Sequence, residues 1–235
     1  VAFDCDATLS ALEGIDQLAA LAGVADAVSA LTHRAMNGEI PLDAIYGERL
    51  ALIRPRERDL ATIAQQYLDR TVPGARETIA ALHARGIKVA IVSGGILDAI
   101  LPLAASLGVA PADTFAVRLQ FDANGDYSGF EPSPLTGSGG KAGGEERREG
   151  GGGGRRTVAG GKAAIITAWK CANGLQRVAM VGDGMSDAEA RAPGAADTII
   201  GYGGVVERAA VRAAADHYST AADLRDLIAE IREKM

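Results

Sequence analysis

Three acidic side chains stand directly after apolar runs that have the character of buried β-strands. Asp4 and Asp6 follow residues 1–3, and Asp183 follows the run 178–181 and Gly182. A carboxylate can act as a covalent nucleophile, and a second carboxyl group nearby can give and take protons. Carboxylate oxygens are also the ligands that Mg²⁺ prefers. These positions predict nucleophilic, proton-transfer and metal-binding groups at one site.

A hydroxyl followed by two glycines comes after a third apolar run. Ser93-Gly94-Gly95 follows residues 87–92 and is predicted to be a tight turn before a helix over 96–107. A hydroxyl and free backbone N–H groups at a helix start bind anions. Each motif alone also has an ordinary interpretation, a solvated turn for Asp4 and Asp6 and a helix cap for Ser93.

The string Gly-Gly-Lys occurs twice, ending at Lys141 and at Lys162. A lysine that binds an anion must be held rigidly. Lys162 begins a predicted helix over 163–172, whereas Lys141 opens a glycine-rich stretch. We predict that Lys162 is the anion-binding lysine; Lys141, which follows Ser138, is the alternative.

The strands that position these groups alternate with helices. Continuous apolar runs at 1–3, 87–92, 178–181 and 198–200 are typical of strands buried on both faces of a parallel sheet. In such sheets ligands bind outside the carboxyl ends of the strands. We therefore predict an α/β fold with a doubly wound, Rossmann-like sheet. Residues 115–121 and 127–130, joined through Asn124-Gly125, predict a small β-hairpin flap.

Two segments interrupt this alternation. Residues 13–72 have helical spacing over 14–22, 25–36, 42–52 and 59–68 with no strand pattern, which predicts a helical insert after the first strand. Residues 137–161 include five consecutive glycines and few large apolar side chains, so we predict a disordered insertion. The α/β core is then 1–12 and 73–235. Removing 141–161 leaves an uninterrupted Ser-Gly-Gly-Lys-Ala-Ala string, so a late insertion and a gene-model artefact are both open hypotheses.

Composition excludes several classes of function. The 235 residues carry 24 Lys and Arg against 30 Asp and Glu, a formal net charge of −6, which disfavours a nucleic-acid surface. Apolar runs are too short to span a membrane. Two distant cysteines, Cys5 and Cys171, give neither a disulfide framework nor metal-ligand spacing, which favours a reducing compartment.

The motifs taken together resemble the haloacid dehalogenase superfamily of phosphatases. Its four motifs occur in the expected order, as Asp-x-Asp-x-Thr, Ser-Gly-Gly, Gly-Gly-Lys and Gly-Asp-Gly-x-Ser-Asp. Within that superfamily the chain is similar to the phosphoserine phosphatases outside 136–161. The matching segments are 13–16, 27–29, 34–36, 48–53, 124–125 and 129–130. The helical insert then corresponds to a cap over the site.

The resemblance implies roles for the reacting groups. Asp4 would be the nucleophile, and Asp6 the general acid and then the general base. Mg²⁺ would be held by Asp4, Asp183 and the backbone carbonyl of Asp6. Ser93 and Lys162 would bind the phosphoryl oxygens, with Gly94 and Gly95 also at the substrate.

The same resemblance implies how O-phosphoserine would be recognised. Glu13 would meet its ammonium group and Arg49 its carboxylate, whereas Met36 would line the pocket or pack in the core. Supporting roles fall to Thr8, Ser186 and Asp187. Ala7 departs from the family, which usually has a serine there.

Two rivals stay open at this point. Another small phosphomonoester, such as phosphohomoserine, would use the same chemistry. Alternatively, the insertion at 141–161 would displace the lysine and leave an inactive homologue. We expect a small-molecule substrate, no nucleic-acid or membrane partner, and a monomer or homodimer. Because the chain starts at Val1 inside a predicted strand, we expect residues before it and a home in the cytoplasm or the plastid stroma.

Overall fold

The computed structural model describes residues 1–36, 42–136 and 161–234, with side chains except at 33–36, 42–44 and 232–234. Six parallel strands form one sheet: β1 Ala2–Phe3, β2 Ala90–Ile96, β3 Thr114–Val117, β6 Ala179–Gly182, β7 Thr198–Tyr202 and β8 His217–Ser219. Their order across the sheet is β3-β2-β1-β6-β7-β8. A separate antiparallel hairpin pairs β4 Leu119–Phe121 with β5 Tyr127–Phe130.

Ten α-helices surround or extend this sheet in the described residues. Five precede β2, and the first four of these form the helical segment that follows β1: α1 Gly14–Leu21, α2 Ala25–Met36, α3 Leu42–Ile53 and α4 Glu57–Asp69. The other six are α5 Ala75–His83, α6 Leu97–Leu107, α7 Gly161–Ala172, α8 Met185–Ala188, α9 Ala209–Ala214 and α10 Leu227–Lys234. The alternation of strands and helices confirms the predicted doubly wound α/β fold.

The sheet is buried on both faces, which explains its continuous apolar strands. Successive residues of a strand point to opposite faces. Phe3 and Val181 accordingly belong to one hydrophobic cluster, and Ala2 and Met180 to the other. The first cluster includes buried residues of α5, α6 and α10 and of the helical segment before β2, and the second includes α7 and α8.

The helical segment before β2 has no strand among its described residues, as predicted. Its last helix is tied to the loop after β1. The Ser10 hydroxyl donates to the carbonyls of Tyr67 and Arg70 at 3.0 and 3.1 Å. The backbone N–H of Val72 donates to the Leu9 carbonyl at 2.9 Å. The end of α4 is therefore held against the segment that carries Asp4 and Asp6.

Two local predictions are wrong, and one strand was missed. The Ser93-Gly94-Gly95 segment is not a tight turn, because β2 continues through it to Ile96 while its register with β3 shifts after Val92. The single strand predicted over 115–121 divides at Arg118, so that its first part joins the main sheet and its second forms the hairpin. Strand β8 was not predicted.

The predicted insertion begins and ends close to the limits of the described residues. Its last residue, Gly161, is the first residue of α7 rather than part of a disordered segment. A Cβ atom there would lie 2.1 Å from the Pro134 carbonyl oxygen, so the close approach requires glycine. Residues 137–160, including Lys141, lie outside the described residues. None of the described helices combines the length and apolar character needed to cross a bilayer.

Burial predicts unequal costs for the same substitution in two helices. Leu103 in α6 is fully buried, whereas Leu21 at the end of α1 is 51% exposed. Leu103→Ala should lower the free energy of unfolding by about 3–5 kcal/mol because it removes buried apolar surface and leaves a cavity. The control, Leu21→Ala, should change it by no more than about 0.5 kcal/mol. Urea denaturation measures both, and equal losses would contradict the burial of α6.

Candidate active site

Asp4 and Asp183 directly follow β1 and β6, the two neighbouring strands at which the strand order of the sheet reverses. β1 lies between β2 and β6, with Phe3 paired to Val181, and the backbone N–H of Asp4 donates to the Val181 carbonyl at 2.8 Å. In doubly wound sheets the crevice for ligands forms at this point. Asp4 and Asp183, predicted at separate strand ends, are therefore neighbours.

A buried lysine connects two carboxylates. Lys162 Nζ lies 2.9 Å from Asp4 Oδ2 and 2.6 Å from Asp187 Oδ1, and its side chain is 5% exposed. Burial lowers the pKa of Lys162. The Asp187 and Asp4 carboxylates raise it by more than burial lowers it, so that the pKa lies above its ordinary value. The lysine is therefore a fixed cation beside Asp4.

The position of Asp187 depends on a glycine. Its Oδ2 accepts a hydrogen bond from the Gly184 N–H at 2.9 Å, as a carboxylate near a helix start commonly does. A Cβ atom on Gly182 would lie 2.2 Å from Asp187 Cγ. The two glycines at 182 and 184 thus allow the Asp187 carboxylate to lie against the end of β6, where it accepts a hydrogen bond from Lys162.

Three carboxylates could hold a cation. One oxygen each of Asp4, Asp183 and Asp187 lies within 4.8 Å of the others, and all three residues are buried. Burial and the Asp4 carboxylate raise the pKa of Asp183, as expected when acids are crowded without enough positive charge. These oxygen donors suit a hard divalent cation such as Mg²⁺. The Asp6 carboxylate is not in this cluster.

Asp6 lies beside the cavity and meets a residue that sequence analysis missed. The Tyr67 hydroxyl donates a hydrogen bond to Asp6 Oδ1. Burial and the Asp4 carboxylate raise the pKa of Asp6 well above its ordinary value, although the Tyr67 hydrogen bond opposes the shift. The spacing of apolar residues in α4 marks Tyr67 as a core residue, but nothing local indicates its polar partner.

The Ser-Gly-Gly segment divides between the cavity and the interior. Ser93 is buried, and its Oγ accepts a hydrogen bond from the Gly95 N–H at 3.1 Å. Gly94 lines the cavity, and a Cβ atom there would meet nothing within 4 Å. Gly95 instead faces Tyr67, Asp6 and Ile100. The structure thus places Ser93 and Gly94, but not Gly95, at the cavity surface.

An arginine that no sequence motif indicated joins two predicted residues. Arg208 Nε donates to Asp183 Oδ2 at 2.9 Å, and another guanidinium nitrogen lies 3.4 Å from Glu13 Oε1. Burial and the Asp183 carboxylate raise the pKa of Glu13 to about 7, while Arg208 opposes the shift. Arg208 precedes the short helix α9, and its local sequence gives no sign of either partner.

Arg49 reaches the cavity from α3. Its Nε is buried and has no hydrogen-bond partner among the described residues, and its Cζ lies 5.9 Å from the centre of the Tyr46 ring. A buried donor without a partner is costly, so it marks a place where a ligand acceptor would be favourable.

The remaining predicted residues have varied positions. Ser186 lines the cavity, whereas Thr8 is fully buried behind it with no partner for its hydroxyl in the described part of the chain. The side chain of Met36 and all of Lys141 lie outside what the structure describes. Ala7 has a left-handed backbone conformation with φ of 49°, which residues other than glycine rarely adopt.

These side chains surround a cavity of about 510 Å³. The core contributes Asp4, Asp6, Ser93, Lys162 and Asp183, and the helical segment contributes Glu13, Ile15, Ile45, Tyr46 and Arg49. The cavity is large enough for a small metabolite. It combines an acidic cluster that could hold a cation, a fixed lysine and two further carboxyl groups, those of Asp6 and Glu13, which is an arrangement suited to phosphoryl transfer.

Comparison with known proteins gives consistent results. A family model described as a haloacid dehalogenase-like hydrolase matches residues 1–135. Phosphoserine phosphatase from Homo sapiens is 36% identical over 234 residues, covering 99% of this chain and 93% of the relative. The chloroplastic phosphoserine phosphatase of Arabidopsis thaliana is 38% identical over 221 residues, covering 92% of this chain and 66% of the relative.

A solved structure shares the whole architecture. It is a phospho-aspartyl intermediate analogue of phosphoserine phosphatase, with a TM-score of 0.70 and 25% identity, covering 97% of this chain and 96% of that chain. Sequence and fold therefore agree over nearly the full length of the described residues. The chain belongs to the haloacid dehalogenase-like hydrolases and, within them, to the phosphoserine phosphatase family.

Proposed function

We propose that the protein hydrolyses O-phospho-L-serine to L-serine and phosphate, the last step of L-serine biosynthesis. The observation that carries this proposal is the buried Asp4–Lys162 pair at the floor of a cavity that Glu13 and Arg49 also line. It places a nucleophile, a cation for the phosphoryl group, an anion for an ammonium and a cation for a carboxylate around one small space. The names of the relatives support the same substrate.

Asp4 is positioned to act as the nucleophile. Its Oδ1 accepts a hydrogen bond from the Cys5 N–H at 2.7 Å, and its Oδ2 is paired with Lys162. As a carboxylate oxygen bonds to phosphorus, the bond to the seryl oxygen breaks and Asp6 gives that oxygen a proton. Asp6 then takes a proton from the water that cleaves the aspartyl-phosphate. Ser93 and Lys162 bind the phosphoryl oxygens in both steps.

Mg²⁺ is the metal that we propose for the acidic cluster. Asp4, Asp183 and the Asp6 backbone carbonyl are the proposed ligands, with Asp187 close enough to hold a ligand water or the lysine. When bound, the ion neutralises charge between the nucleophile and the anionic substrate. Arg208 donates to Asp183 Oδ2, so its guanidinium and a bound metal would share this carboxylate.

The carboxylate and the ammonium group of the substrate would each be recognised by a side chain of opposite charge. Arg49 presents a donor that has no partner among the described residues to a carboxylate, and a planar guanidinium matches that group well. In the same described part of the chain the Glu13 carboxylate is paired with Arg208 at 3.4 Å, and we propose that it also accepts an ammonium group. We propose a division into a core over 1–12 and 73–235 and a cap over 13–72, in which the cap would enclose the substrate and exclude water.

The compartment is also a proposal. The cytoplasm and the plastid stroma both suit an enzyme of serine synthesis, and the chloroplastic relative supports the stroma.

The direct test is phosphate release from phosphoserine by the purified chain. Asp4→Asn should lower kcat by at least about 10³-fold because it removes the attacking carboxylate. Wild-type activity should also disappear with EDTA and return with Mg²⁺. Glu189→Gln, at the cavity rim, is a control that should retain most activity. Full activity of Asp4→Asn would contradict the nucleophile, and no activity of the wild type would contradict the function.

Substrate recognition can be tested with phosphoethanolamine, which lacks the carboxylate. The wild type should prefer phosphoserine by about 10–100-fold in kcat/KM, since a charged hydrogen bond contributes about 1.5–3 kcal/mol. Arg49→Ala should abolish most of that preference, and the exposed Arg58→Ala in α4 should leave it intact. A wild type that accepts both compounds equally would instead favour another small phosphomonoester.

The two Gly-Gly-Lys strings make different predictions. Lys162→Ala should lower kcat/KM by at least about 10²-fold because Asp4 and the phosphoryl group lose their cation. Lys141→Ala should stay within about twofold of the wild type. Deletion of 141–161, which keeps Lys162, should also retain activity. Circular dichroism of each variant checks folding, and the opposite pattern for the two lysines would identify Lys141 as the functional one.

A further inference from the structure

Tyr67 reaches from the helical segment to the proposed proton-transfer residue. It lies in the last turn of α4 and is fully buried, and its hydroxyl donates to Asp6 Oδ1. Most buried hydroxyl groups have a hydrogen-bond partner. The partner of the Tyr67 hydroxyl is Asp6, the residue that transfers a proton in both steps of the proposed mechanism.

The Tyr67 hydroxyl occupies a slot between two glycines. A Cβ atom on Gly14 would lie 2.2 Å from the hydroxyl oxygen, and one on Gly95 would lie 3.2 Å from it. Gly14 begins α1 and Gly95 lies in β2, so two distant segments leave room for this one oxygen. The Gly14 N–H also donates to the Asp6 carboxyl group. A phenylalanine would fill the same ring position without needing the slot, so packing alone does not account for it.

The tyrosine is held rigidly relative to Asp6. Its backbone carbonyl accepts the Ser10 hydroxyl, and the Arg70 carbonyl accepts the Ala11 N–H at 2.8 Å. Both donors belong to the loop that also carries Asp6. The Tyr67 hydroxyl and Asp6 are therefore held within one hydrogen-bonded unit.

We propose that Tyr67 is a positioning residue that orients Asp6 for proton transfer to the leaving oxygen. This inference rests on the proposed function. A carboxyl group has two oxygens and rotates easily about its last bond, whose torsion is broad. With Oδ1 occupied by Tyr67, the proton is given from Oδ2: the Oδ2–H bond breaks and a bond to the seryl oxygen forms, as the phosphorus–oxygen bond breaks and Asp4 bonds to phosphorus. Orientation of this kind contributes directly to rate.

The first test uses two leaving groups. A seryl alkoxide must be protonated as it leaves, whereas p-nitrophenolate leaves readily without a proton. Tyr67→Phe should lower kcat/KM for phosphoserine about tenfold or more, mainly through kcat, and change that for p-nitrophenyl phosphate by less than about threefold. Equal losses on both substrates would show a structural role and overturn the proposal, as would an unchanged phosphoserine rate.

The matched control is Tyr202→Phe. Tyr202 in β7 is equally buried, and its hydroxyl has no hydrogen-bond partner among the described residues. It does not line the cavity. Both rates of Tyr202→Phe should stay within about twofold of the wild type, which separates loss of a buried hydroxyl from loss of this particular contact.

The second test is a double-mutant cycle with Asp6→Asn on phosphoserine. If Tyr67 acts through the Asp6 carboxyl, adding Tyr67→Phe to Asp6→Asn should cause little further loss. A full additional tenfold loss would overturn the proposal. The outcomes also separate the two hypotheses. A wild type without phosphoserine activity would contradict the proposed function. An active wild type with an unimpaired Tyr67→Phe variant would contradict only the role of Tyr67.

Discussion

The site depends on a balance of buried charge at one end of the sheet. Asp4, Asp183 and Asp187 bring three carboxylates within a few ångströms, where like charges repel strongly and water screens little. Lys162 and Arg208 supply the opposing charge from two other elements. Removing one partner of a buried pair leaves an unpaired charge, at a cost of about 3–5 kcal/mol. Lys162 and the carboxylates of Asp4 and Asp187 therefore form one unit, whereas Arg208 is only partly buried.

This balance also explains why the two cations differ. Lys162 is buried and contacts Asp4 and Asp187 at both sides, so it is a permanent part of the site. The Arg208 side chain is 42% exposed and spans Asp183 and Glu13, the proposed metal ligand and the proposed ammonium receptor. Its contacts are screened by water and easier to exchange. Arg208 is therefore the more exchangeable of the two cations.

Glycines set the close contacts on which this geometry depends. At Gly182 the absent side chain makes room for Asp187, and at Gly14 it makes room for the Tyr67 hydroxyl. In both cases the neighbour is a polar side chain of the site rather than a substrate. The glycines of phosphate-binding motifs are usually explained by approach of the ligand, yet here only Gly94 of the Ser-Gly-Gly string faces open space.

The core and the helical segment share a continuous hydrophobic cluster. Phe3 and Ile91 of the sheet belong to the same cluster as Leu18 and Leu50 of the helices. The cavity lies at the edge of this contact, which is why it takes residues from both parts. Burial at the interface brings two residues of α3 to the cavity: Arg49, which the family resemblance indicated, and Tyr46, which no motif indicated.

Local pattern determined most of the fold and the reacting groups. Apolar runs identify β1, β2, β6 and β7 because a strand buried on both faces needs apolar residues throughout, and the acids that follow them lie at the carboxyl ends by chain connectivity alone. Helical spacing gives the bounds of α1 to α4 within a few residues, because an amphipathic helix repeats every three to four positions. Asp4, Asp183, Ser93 and Lys162 follow from these elements.

Tertiary structure alone decided which side chains meet across the chain. Arg208 with Asp183 and Glu13, and Tyr67 with Asp6, join residues up to 195 positions apart, and no local repeat encodes such a pair. The continuation of β2 through two glycines and the division of the hairpin strand at Arg118 likewise depend on which neighbouring strand offers hydrogen bonds. Local sequence sets the conformation that a segment prefers, whereas its partners are selected by packing of the whole chain.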